Sequence, residues 1–112
     1  MTTTIASSRL ELIRQIGDVI TEVDVLRSDF RRETKTRKHL DNIRDELDTA
    51  QRILVRNMIN ENTKQFREVT TELKETNEEL RETIDDVEKV AETLETLVKF
   101  VGVVQKIAEL AR

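Results

Sequence analysis

In the second half of the chain, fourteen residues follow one another at spacings of three and four without a slip: Phe66, Val69, Leu73, Thr76, Leu80, Thr83, Val87, Val90, Leu94, Leu97, Val101, Val104, Ala108 and Ala111. Twelve of them are apolar in a chain that is only 37% hydrophobic, so the pattern is not a by-product of composition. An apolar repeat of 3.5 residues lines one face of an α-helix and winds helices into left-handed coiled coils. This half of the chain therefore reads as helix built to lie lengthwise against other helices.

The first half carries a related pattern. Ser8 and Glu11 fit a capping box, the hydroxyl accepting from a free N–H of the first turn. Leu12, Ile16, Val19, Val23, Leu26 and Phe30 follow at alternating steps of four and three. One heptad position continues further, through Leu40, Leu47 and Leu54. Its companion position fails at Arg37, Arg44 and Gln51, where Ile43 and Ala50 take over one residue earlier. A polar stretch at 33–39 has room for a break near 34–36. It holds no Gly, Pro or Asn, however, and the register from Leu12 to Leu54 favours one continuous helix.

The expected break lies at 57–63, where Asn57, Asn60 and Asn62 cluster. Asn tolerates turn backbone, and its side chain competes for main-chain bonds. Asn62 with Gln65 reads as a second helix start, and the heptad phase changes there. The expectation is an all-α single domain over residues 1–112: a helix over about 8–59, a turn at about 60–62 and a helix over about 63–111. Two such helices, each roughly 75 Å long, form a long antiparallel coiled-coil hairpin.

Charge points to the same register. Residues 27–44 carry a net +4 and residues 78–95 a net −6, and folding about residue 61 lays one block on the other. Gly17 and Gly102 approach each other in that register, as at a close helix contact. Flanking apolar residues (Ile13, Ile20, Ile84, Ala91, Val98, Phe100, Ile107) widen the stripe beyond what one partner helix covers. A homodimer of hairpins, packed into a four-helix bundle, is the expected answer. The helix interface then consists of Leu12, Ile16, Val19, Val23, Leu26, Phe30, Leu40, Leu47, Leu54, Phe66, Leu73, Leu80, Val87, Leu94, Leu97, Val101 and Val104.

No chemistry of catalysis is legible. A di-metal bundle needs Glu-x-x-His steps, but the one histidine, His39, has Thr36 three residues before it. The acids fall at charge-pair spacings on helix faces, as solvated residues do. There is no Cys and no glycine-rich phosphate loop. The expectation is a non-enzymatic helical interaction or scaffold protein without cofactor or metal. Two alternatives use other parts of the chain. The apolar stripe at 94–108 offers a lipid-facing helix, although a membrane-surface helix usually carries more Lys and Arg. The basic cluster at 27–38 offers contacts to nucleic-acid phosphates, against an overall charge of −4. The N-terminal residues carry no signal-peptide pattern, which makes the cytoplasm the default compartment.

Overall fold

The computed structural model describes residues 8–111. Four α-helices follow one another: α1 (Arg9–Arg27), α2 (Lys35–Arg56), α3 (Lys64–Arg81) and α4 (Val90–Leu110). A 3-10 turn, Val87–Lys89, leads into α4, and no strand occurs among the described residues. The protein is all-α.

Each of the two long helices expected from the heptads is instead a pair of shorter ones. The longest Cα extent is 45 Å, which leaves no room for a straight 75 Å helix. At 28–34 the breaking residues are Ser, Thr and Arg. Ser28 Oγ donates to the Val25 carbonyl, and Thr34 Oγ1 accepts from Arg37 N as the N-cap of α2. The Arg37 guanidinium donates to the carbonyls of Arg27 and Phe30. Carbonyls freed at the end of α1 thus find partners without a glycine. At 82–89, Asp86 accepts from Glu88 N, and the Thr93 hydroxyl donates to that of Thr83 at 2.8 Å. A continuous helix here would stack acids four apart, Glu78 on Glu82 and Glu82 on Asp86, and such pairs are destabilising.

The connection at 57–63 is non-helical. Asn57 caps α2, and Asn60 Oδ1 accepts from Asn62 N. The N-cap of α3 is Thr63 rather than Asn62: its hydroxyl accepts from Phe66 N at 3.1 Å. At the start of α1, Ser8 Oγ accepts from Glu11 N.

α1 and α2 form one antiparallel hairpin and α3 and α4 a second. The hairpins meet chiefly along α2 and α4, which run in the same direction. Gln105 donates to Glu46 between them, and Asn57 and Ala111, at the ends of both helices, line one groove. The starts of α1 and α3 are joined by Arg9 N donating to Glu61, and their ends by an Arg81–Glu22 ion pair. The turns at 28–34 and 82–89 therefore share one end of the molecule, and the 57–63 connection lies at the other. The hairpins are built alike. At one constant offset Leu12 corresponds to Phe66, Val19 to Leu73, Leu26 to Leu80, Phe30 to Ile84, Ile43 to Leu97 and Leu47 to Val101.

All four helices contribute to one core, in which Phe66, Phe100, Leu12, Leu40, Leu54 and Leu97 are fully enclosed. The wide apolar arc of α4 (Phe100, Val103, Val104, Ile107) is buried within the single chain. Of the flanking residues that widened the stripe, Ile20, Ile84, Phe100 and Ile107 are buried within the one chain, Ile13 is half-buried, and Ala91 and Val98 are exposed. Buried Thr70, Thr76 and Thr96 donate to carbonyls three or four residues back, so no hydroxyl among them lacks a partner.

The charge pairs also differ from expectation, because the basic block does not lie on the acidic block. Arg27 and Arg37 both donate to Asp41, and Arg27 and Arg44 pair with Asp24, all inside the first hairpin. In the second hairpin Lys99 pairs with Glu79 and Lys106 with Glu72. Short hairpins bring partners 14 or 20 residues apart together, so local pairs form before any long-range match is needed.

The hydrogen bond from Arg27, more than any other neighbour, holds the Asp41 carboxyl below its ordinary value of 3.8. A depressed carboxyl stabilises the fold above its unfolded-state pKa and loses that contribution as pH falls through the folded one. Asp41→Asn should accordingly melt below the wild type between pH 5 and 7. The gap should shrink progressively below about pH 4, as thermal denaturation across the pH series would show.

Candidate functional site

Most of the predicted interface residues lie in the core of the single chain. Leu12, Ile16, Val19, Val23, Leu26, Leu40, Leu47, Leu54, Phe66, Leu73, Leu80, Leu97, Val101 and Val104 are buried. Phe30 and Leu94 are half-buried against the core. Val87 is the exception: it stands 43% exposed, because the heptad seam passes there through the 82–89 break and not along a helix. These residues make helix–helix contacts within one chain.

The apolar stripe at 94–108 lies largely in the same core. Of the apolar residues at 94–108, only Val98 is largely exposed, and the others pack inward. Among the described residues no helix is long and apolar enough to cross a membrane. His39 is exposed on α2, and no group of metal-ligating side chains assembles among the described residues.

What the structure adds is a groove that the sequence did not announce. Where α2 and α4 run side by side toward their C-terminal ends, they leave an open cleft of about 800 Å³. Half-buried Ile53 gives it an apolar wall, and Ala50, Ala108 and Ala111, which are buried in the core, complete its apolar lining. Asp45 and Glu46 from α2 and Glu109 from α4 stand along it as acids. The Gln105–Glu46 hydrogen bond, 3.3 Å, spans the two helices there. The cleft follows from the flat packing of the helices. The Cα envelope is only 17 Å thick, and a radius of gyration of 14.4 Å exceeds the roughly 13 Å of a compact chain of this length.

Gly102 marks the same face. Steps of four, three and four place Val98, Gly102, Gln105 and Glu109 on one side of α4. A Cβ at Gly102 would meet nothing within 4 Å, so no contact inside the chain requires a glycine there. At Gly17 the Cβ would lie 3.1 Å from Gln51 Nε2, which donates to the Ile13 carbonyl. The two glycines do not face each other: Gly17 accommodates Gln51 on the neighbouring helix, and Gly102 faces open space. The only signal in the sequence was a glycine inside a strongly helical segment.

A second, smaller hollow lies between α3 and α4, with Glu79, Glu82, Glu92 and Glu95 around Thr83 and Lys99. The Lys99–Glu79 pair partly neutralises it. Comparison with protein-family models, curated proteins and solved structures found no match for the chain.

The glycines give a stability contrast. A mid-helix Gly costs about 0.5–1 kcal/mol relative to Ala. Gly102→Ala should raise stability by about that amount in urea denaturation. Gly17→Ala should gain less or lose, because Gln51 must shift.

Proposed function

We propose that this chain is a non-enzymatic interaction protein that receives an α-helix of a partner in the groove between α2 and α4. The groove itself carries the reading. Two parallel helices with small side chains along their shared cleft form the seat in which a third helix packs, its apolar face inward. Asp45, Glu46 and Glu109 then favour a partner helix whose flanks are basic. Gly102 and exposed Val98 extend the seat along α4, the glycine letting another backbone approach closely. Most of the seam residues are already buried in the core, and no described residue fills the groove, which leaves it to an outside helix.

The direct test is a nuclear magnetic resonance titration with a synthetic 18-residue amphipathic helix carrying an Ala/Leu face and Lys flanks. A twin peptide with Glu flanks is the control. Shifts should fall on residues 45–57 and 98–111 for the Lys peptide and be weaker for its twin. Reversing Asp45, Glu46 and Glu109 to Lys should weaken the Lys peptide by roughly tenfold or more, as several facing charges act together. Equal binding of both peptides, or shifts confined to other helices, would refute the groove as a helix site.

A further inference from the structure

The end of the molecule that carries the 28–34 and 82–89 turns is split by charge. On the first turn and the start of α2, Arg31, Arg32, Lys35 and Lys38 are exposed and form no ion pair among the described residues. Only Asp29 and Glu33 oppose them locally, since Asp24 and Asp41 are engaged with Arg27, Arg37 and Arg44. On the second turn Glu82, Asp85, Asp86, Glu88 and Glu92 are exposed, with Lys89 the one cation in that stretch. These acids likewise form no ion pair among the described residues.

The two turns lie side by side because α1 runs with α3 and α2 with α4, the Arg81–Glu22 pair tying the hairpins together near this end. Each turn also holds an apolar side chain that the core does not fully cover, Val87 on the acidic side and Phe30 on the basic side.

We propose that two copies of the chain associate end to end through this surface, the basic turn of each copy resting on the acidic turn of the other. A surface with one positive and one negative lobe is complementary to itself. A two-fold axis perpendicular to both the bundle axis and the line joining the turns sets opposite charges together twice over. The occupant is a second copy because the matching charge pattern is present on the same end of the same chain. The contact leaves the α2–α4 groove at the opposite end free, and it stands whether or not that groove binds a helix. Exposed pairs are screened at short range, so the association belongs to low ionic strength and fades as salt rises.

Analytical ultracentrifugation of the whole chain tests this across a salt series. The dimer dissociation constant should rise at least tenfold between about 20 and 300 mM NaCl, where the screening length falls to well under 10 Å. Small-angle scattering at low salt should give a maximum dimension near twice the 45 Å of one copy. A variant with Arg31, Arg32 and Lys38 changed to Glu carries a net negative charge on both turns, with Lys35 and Lys89 left among the acids. A variant with Glu82, Asp85 and Glu88 changed to Lys carries a net positive charge on both turns, with Asp29, Glu33, Asp86 and Glu92 left among the bases. Each should be monomeric alone, with helical circular dichroism retained, and an equimolar mixture should dimerise again. A wild type that stays monomeric at low salt would overturn the proposal, as would a compact side-by-side dimer or a mixture that does not associate. A monomer that binds a single-stranded oligonucleotide through Arg31 and Arg32 would overturn it in favour of a polyanion site.

Discussion

α2 and α4 lie side by side and point the same way, and through this contact two helical hairpins become one molecule. Each hairpin closes its own seam, α1 on α2 and α3 on α4, but neither encloses a core alone. Ala50, Ala108 and Ala111 keep side chains small along the shared cleft, so the helices approach over part of their length and leave a groove over the rest. The shared direction also fixes the ends: both intra-hairpin turns at one, the 57–63 connection at the other. The two surfaces proposed to make contacts are thus consequences of a single packing choice.

That choice depends on breaking the chain twice. Two unbroken helices of roughly 75 Å would each present a stripe too wide for one partner, leaving the arc of α4 wet. Broken near their midpoints, the same sequences fold back and enclose Phe100, Val103, Val104 and Ile107 within one chain. Burial of side chains of this size contributes about 1.5–3 kcal/mol each, against about 0.2–1 kcal/mol for an exposed ion pair. Apolar area therefore outweighs the charge register that a long hairpin would satisfy. The charges then pair with near neighbours, Arg27 with Asp24 and Asp41, Lys99 with Glu79, and the surplus of each sign is left at the turns.

The spacing of apolar residues made the helical character and most of the core legible, because a buried stripe has the same period in a short helix as in a long one. Leu12, Leu26, Leu40, Leu54, Phe66, Leu73, Leu80, Leu97 and Val104 are all buried. The connection at 57–63 was legible through its three asparagines. The breaks at 28–34 and 82–89 were not, for a physical reason. A heptad counts residues along the chain and stays in phase across a loop of suitable length, as from Leu80 through Val87 to Leu94. No Gly, Pro or Asn marks these loops; Ser28, Thr34, Thr83 and Asp86 supply the terminal hydrogen bonds instead. The stacked acids of 78–92 were the available warning. The groove had no comparable signal, since it arises from the parallel pairing of helices more than fifty residues apart, with Gly102 its one trace in the chain.

The distance between Val55 and Glu109 tests the fold most directly. Both side chains are exposed and accept spin labels without disturbing the core. In the structure they belong to the C-terminal ends of α2 and α4, which pack side by side, so a double electron–electron resonance measurement should give a narrow distribution below about 25 Å, on the order of two helix diameters. In an unbroken hairpin turning at 60–62, Val55 would sit near the turn and Glu109 at the far tip, roughly 60 Å away at 1.5 Å per residue. A distribution centred near that longer value would contradict the four-helix arrangement and with it both contact surfaces.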